Sequence, residues 1–87
     1  MEAKTWSVEI YIEEDDTTTN ARAVLFTGAS TRVTGKGSAR RNPVDRPVPE
    51  IGDELAVSRA LEDLAHHLHS VASSDIAQLS GPARRRT

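Results

Sequence analysis

The chain has 87 residues, 11 of them basic and 13 acidic, a formal net charge of -2 and no cysteine. That length makes one domain, and the missing cysteine excludes disulfides, thiolate metal sites and cysteine nucleophiles. No apolar run nears the roughly 20 residues of a membrane span, and Met1-Glu2-Ala3-Lys4 leads into strand pattern without a signal-peptide apolar region, so a cytoplasmic protein is expected.

Residues 4–14 alternate. Trp6, Val8, Ile10 and Ile12 fall on one side, and Thr5, Ser7, Glu9, Tyr11 and Glu13 on the other, the pattern of a half-buried strand. Asp15 to Thr19 form a polar turn. Residues 20–27 predict a second strand, with Ala21, Ala23 and Leu25 on one face and Arg22, Val24 and Phe26 on the other. Gly28-Ala29-Ser30 is the next turn. Residues 31–40 predict a third strand, in which Val33, Gly35, Gly37 and Ala39 share a face opposite Arg32, Thr34, Lys36, Ser38 and Arg40. Two short connections make the three an antiparallel meander.

Arg41 to Pro49 contains Pro43, Pro47 and Pro49 and predicts an extended connection. Pro49 fits a first helical turn. From Glu50 to Ala72 the period becomes helical, with Val57, Leu61, Leu64, Leu68 and Val71 at spacings of three and four. Ser73 or Ser74 can cap a short second helix over 75–79, which Gly81-Pro82 stops. The expected organisation is a domain over 1–80 and a disordered basic tail over 81–87.

These elements predict an α+β two-layer sandwich, β-β-β-α-α. The leucine stripe lies on a shallow floor of Ala21, Ala23, Gly35, Gly37 and Ala39, with Trp6, Ile10 and Ile12 as walls. The other sheet face, with Tyr11, Val24 and Phe26 among charges, stays uncovered. Large apolar side chains are few, and a core this thin only just offsets chain entropy. A thin core and an open face predict a homodimer.

Charge runs in blocks. Residues 1–20 carry six acids and one base, 21–48 six bases and one acid, and 49–83 six acids and one base, before Arg84-Arg85-Arg86. The middle block supplies a candidate surface for an anionic partner, RNA or the ribosome: Arg22, Arg32, Lys36, Arg40, Arg41 and Arg46. Arg32, Lys36 and Arg40 are expected on one face about 6–7 Å apart, near the phosphate repeat of an extended strand. The competing reading is internal neutralisation, with Glu9 facing Arg22 across the first hairpin. The terminal arginines read as a solubilising tail.

Little else points to chemistry. His66 and His69, or Asp63 and His67, have chelating spacings, but no second ligand pair completes a zinc site. Gly35-x-Gly37 lacks the third glycine and the following helix of a nucleotide loop, and close packing explains it better. Ser58, Ser73 and Ser74 have no nucleophile-elbow context. Glu13-Glu14-Asp15-Asp16 reads as a solvated turn. No catalytic residue, metal, cofactor or small-molecule substrate is expected.

The run from Gly35 to Arg46, with Asn42-Pro43-Val44-Asp45-Arg46, then Pro49-Glu50-Ile51-Gly52-Asp53-Glu54-Leu55 and Arg59-Ala60-Leu61-Glu62-Asp63-Leu64-Ala65, resembles a small actinobacterial family of unknown function described as dsRBD-like. Its mycobacterial members include dormancy-associated hypothetical proteins. The resemblance covers roughly Trp6 to Leu79 and departs at Lys36 and Arg41, where the family carries apolar residues. It implies a β-β-β-α-α chain pairing into an intertwined homodimer, likened in shape to ribosome hibernation-promoting factors, and brings no catalytic residues. A double-stranded-RNA module places bases near a helix N-terminus to meet phosphates. Here that place holds Glu50, Asp53 and Glu54, so the label describes topology. Two functions follow as expectations: a stress-associated dimer contacting ribosomes or RNA, or a protein-interaction module with no nucleic-acid role.

Overall fold

The computed structural model describes residues 1–29 and 32–79 in full and the backbone of 80–85. Strands β1 (Ser7–Glu14), β2 (Thr18–Phe26) and β3 (Arg32–Arg40) form one antiparallel sheet in the order β1-β2-β3, followed by helix α1 (Pro49–Arg85). The α+β meander-and-helix fold agrees with the sequence reading. The first hairpin closes through the Asp15 N–H, which donates to the Thr18 carbonyl at 2.7 Å. Gly28, in the second turn, has φ +86°, a backbone region that glycine enters without a Cβ penalty.

Register fixes the faces. Ile10 pairs with Ala23, which pairs with Gly35; Ile12 pairs with Ala21, which pairs with Gly37. The helix side of the sheet is therefore apolar and small. At Gly35 and Gly37 the helix backbone comes so close that a Cβ would overlap Ala60 and Leu64, or Ala56 and Ala60. The core is the consequence: Ala21, Ala23, Leu25, Val33 and Ala39 under Ala56, Ala60 and Leu64, with Val57 and Leu68 at its margin.

This close approach overturns two expectations. The helix settles over β3 and β2 and scarcely reaches β1. Trp6, Ile10 and Ile12 are thus not walls of the core: Trp6 is 52% exposed and Ile12 42%. The helix also meets the sheet through alanines where leucines were expected. Leu64 is buried, but Leu61 and Val71 are exposed. Glycine in the floor selects small residues above it, because only a small side chain lets two backbones touch.

The predicted break at Ser73-Ser74 and the separate helix over 75–79 are absent. One helix runs from Pro49 to Arg85, through Gly81-Pro82. Serine costs an interior helix only a few tenths of a kcal/mol. Proline removes one backbone donor and crowds the carbonyl four residues back, but Gly81 spares it the further clash with a preceding Cβ. At 1.5 Å per residue the helix is about 55 Å long, against about 30 Å for a nine-residue strand, so it runs on past the sheet. Of the expected tail, residues 86–87 lie outside the described residues.

Candidate nucleic-acid interface on the open sheet face

The face turned away from the helix is built by the other half of each strand. Across the sheet it reads Ser7–Phe26–Arg32, Glu9–Val24–Thr34, Tyr11–Arg22–Lys36 and Glu13–Asn20–Ser38, with Thr18 opposite Arg40 at the end. Acids occupy the β1 column, bases the β3 column, and Arg22 stands at the centre. Arg22, Arg32, Lys36 and Arg40 are all exposed.

The charges on β3 are four residues apart, not two. Successive bases therefore stand about 13–14 Å apart, twice the expected 6–7 Å, with Thr34 and Ser38 between them. The spacing fits alternate phosphates of an extended strand, not consecutive ones.

Glu9 does not face Arg22. It pairs with Val24, and the residue opposite Arg22 is Tyr11. The Arg22 guanidinium lies over the Tyr11 ring, 4.8 Å from its centroid. Arg32 covers Phe26 in the same way at 5.3 Å. Each is a cation–π contact across a strand pair. The Tyr11 hydroxyl donates to the Glu9 carboxylate, and this bond above all raises the tyrosine pKa. Between the two stacks Val24 is only 7% exposed, although it sits on the uncovered face. These Arg–aromatic pairs escape sequence reading because they depend on register, which alternation alone does not give.

Arg41 and Arg46 leave the stripe. The Arg41 guanidinium turns inward and donates to the backbone carbonyls of Asp45 at 2.7 Å, Asn42 and Asp16 at 3.3 Å and Pro43 at 3.4 Å. It ties the proline-rich connection to the first hairpin and has little left for a phosphate. Arg46, together with Arg40 and Arg41, lines a cleft of about 440 Å³ between that connection, the hairpin turn and the start of α1. The acids Glu14, Asp15, Asp16 and Asp45 line the same cleft, so its basic groups are locally balanced.

The helix start is acidic, with Glu50 in its first turn. One turn on, Asp53 Oδ1 is closed off from solvent without a hydrogen-bond partner. The neighbouring Asp53 raises the Glu14 pKa above its ordinary value, first by hydrogen bonding and then by its charge. Neither group offers phosphate a landing site. Asp63 and His67, whose spacing could chelate a metal, serve the fold instead: both bond to the backbone of β3.

A match to the Rv2632c-like family model extends over residues 4–85. The chain belongs to the Rv2632c-like family. Similar relatives are the uncharacterized protein Rv2632c of Mycobacterium tuberculosis, 49% identical over 84% of this chain and 77% of that one, and the uncharacterized protein Mb1767 of Mycobacterium bovis, 46% identical over 91% and 84%. The crystal structure of Rv2632c superposes with a TM-score of 0.83 at 45% identity, over 92% of this chain and 94% of that one. These relatives are uncharacterized mycobacterial proteins. The match also bears on the sheet face, since the matched region contains every strand that builds it.

Proposed function

We propose that this Rv2632c-like chain is a non-catalytic module that contacts RNA, including ribosomal RNA, through the open face of its sheet, and that it does so as a homodimer. The observation that carries the reading is the sorting of charge: Arg22, Arg32, Lys36 and Arg40 all stand on the face the helix leaves uncovered. Four cations within reach of one backbone make a phosphate footprint even on a chain of net charge -2. Association with stress or dormancy rests on the family resemblance alone. Co-sedimentation with purified ribosomes tests the reading. Binding at about 50 mM salt should fall steeply by about 200 mM, as counterion release requires. Absence of binding at low salt would overturn it.

A second reading, a protein-interaction module with no nucleic-acid role, is favoured by a different surface. Trp6, Val8, Ile10 and Ile12 form an exposed apolar strip on the helix side of β1, and Leu61 of α1 is exposed as well. Among the described residues nothing pairs the outer edge of β1. Val71 and Leu79 continue the exposed apolar positions along the helix. A second copy suits this strip: the overhanging helix of one protomer can lie across β1 of the other. The solution mass at micromolar concentration decides. A monomer with intact fold would remove the homodimer from both readings.

A further inference from the structure

We propose that the nucleic acid taken by the open sheet face is single-stranded, with its phosphates along β3 and its bases laid across β2 towards β1. The inference rests on the RNA-contacting reading and narrows it to one kind of polynucleotide.

Two periodicities on the face coincide. The phosphate-binding charges of β3, Arg32 and Lys36, are about 13–14 Å apart. The two Arg–aromatic stacks are set by Arg22 and Phe26 on β2, also four residues and thus about 13–14 Å apart. The register places the rows together, Arg32 beside Phe26 and Lys36 beside Arg22. A strand running along β3 therefore meets Lys36 beside the Arg22–Tyr11 stack and, four residues away, the Arg32–Phe26 stack, in which the guanidinium is itself the cation. A guanidinium placed over a ring is itself a surface on which a base can stack. Between the two stacks the sheet carries Val24, which is nearly buried, and the short Thr34, so a base laid over β2 and β3 there meets no long side chain.

Charge then separates a single strand from a duplex. The sheet is three strands wide, about 10 Å from β1 to β3. A duplex carries a second row of phosphates, and the far column offers it Glu9 and Glu13. A duplex also keeps its bases stacked within itself, which leaves both Arg–aromatic pairs unused. A single strand avoids both costs, because it puts only bases over the acidic edge.

Fluorescence anisotropy with a labelled short oligouridylate, the matching oligothymidylate and a duplex RNA of equal length tests the proposal at low salt. The single strands should bind more tightly than the duplex. A preference for oligouridylate assigns RNA, and equal binding assigns single strands of either sugar. Tyr11→Leu, at an exposed edge position, should weaken the single strand by roughly five- to a hundredfold, the range of one lost base stack, and leave the duplex unchanged, with the fold checked by circular dichroism. A duplex bound as tightly as the single strands, or a Tyr11→Leu variant of unaltered affinity, overturns the single-strand proposal while the RNA-contacting reading stands. No binding of any probe, and none of ribosomes, overturns both.

Discussion

The Asp63 carboxylate accepts the backbone N–H of Lys36 at 2.8 Å, a bond from the middle of the helix to the outer edge of the sheet. It has neighbours on both sides. Arg59 donates to the Ser38 carbonyl and His67 Nδ1 to the Thr34 carbonyl, each at 2.7 Å. A carbonyl only accepts, so His67 carries its proton on Nδ1 here. The three helix residues are four apart, about 6 Å along the axis, and their strand partners two apart, about 6.8 Å. The periods nearly match, and the helix lays a polar ladder along β3. An edge strand otherwise invites pairing with another chain. This ladder closes β3 and leaves β1 as the available edge.

Removing the centre of that ladder should be felt twice. Asp63→Ala deletes a charged acceptor from a partly exposed site, at a cost of about 1–2 kcal/mol. It also frees the edge N–H of Lys36. The urea midpoint should drop and light scattering near the midpoint should rise with protein concentration. A stable variant with no gain in scattering would mean that the ladder does not protect the edge.

Gly37→Ala should be worse than its size suggests. The added Cβ would meet helix backbone at Ala60 and Ala56. Backbone cannot rotate away, so the helix must lift off the sheet. Overpacking of this kind costs about 3 kcal/mol or more, a large part of the stability of a small domain. Thermal unfolding measures it. A melting temperature within a few degrees of wild type would show that the helix rides higher than described.

Much of this was legible in the sequence, and what was not has a common cause. Period-two alternation placed every strand and assigned both faces, because strand side chains must alternate. It could not say which strands the helix would cover. That depends on the helix touching backbone at Gly35 and Gly37 and reaching Thr34, Lys36 and Ser38 with polar side chains. Hydrophobic periodicity favoured Leu61 as a contact, since it scores greasiness and cannot see that Ala56 and Ala60 are the residues small enough to fit. The candidate site was half legible. Arg22, Arg32, Lys36 and Arg40 share a face as alternation requires. Arg41 is one residue beyond the strand and folds inward to carbonyls that no sequence pattern announces.

The Glu14–Asp53 pair predicts a pH dependence of defined sign. Glu14 has its pKa raised above its usual 4.5, first by hydrogen bonding with Asp53 and then by the Asp53 charge. The folded state therefore holds the Glu14 proton more tightly than the unfolded chain. Its stabilisation is fully present below about pH 4.5 and is lost as pH rises through the raised value. Glu14→Gln keeps a donor for Asp53 without the proton. Urea unfolding from pH 4 upward should show a flatter profile for the variant, with its gain over wild type largest near neutrality. Parallel profiles would mean that the pair is separated in solution.

The basic column gives the last prediction. Arg32, Lys36 and Arg40 project from the face opposite α1, so replacing all three with Ser removes charge without touching the core. The edge bond at Lys36 uses its backbone N–H and survives the change. Arg32 also covers Phe26, so a small loss of stability is expected from uncapping that ring. For RNA binding the effect should be larger and of a particular kind. Each phosphate contact adds roughly 0.7–0.9 to the slope of log affinity against log salt. Losing three should lower that slope by about 2–3 and weaken ribosome binding at low salt far more than at high salt. Arg22, held over Tyr11, would remain as a single contact. Titration of wild type and triple variant across a salt series reads both quantities. If affinity fell while the slope stayed the same, these side chains would be shaping the surface, not meeting phosphate. If neither changed, the ribosome would be contacting some other part of the chain.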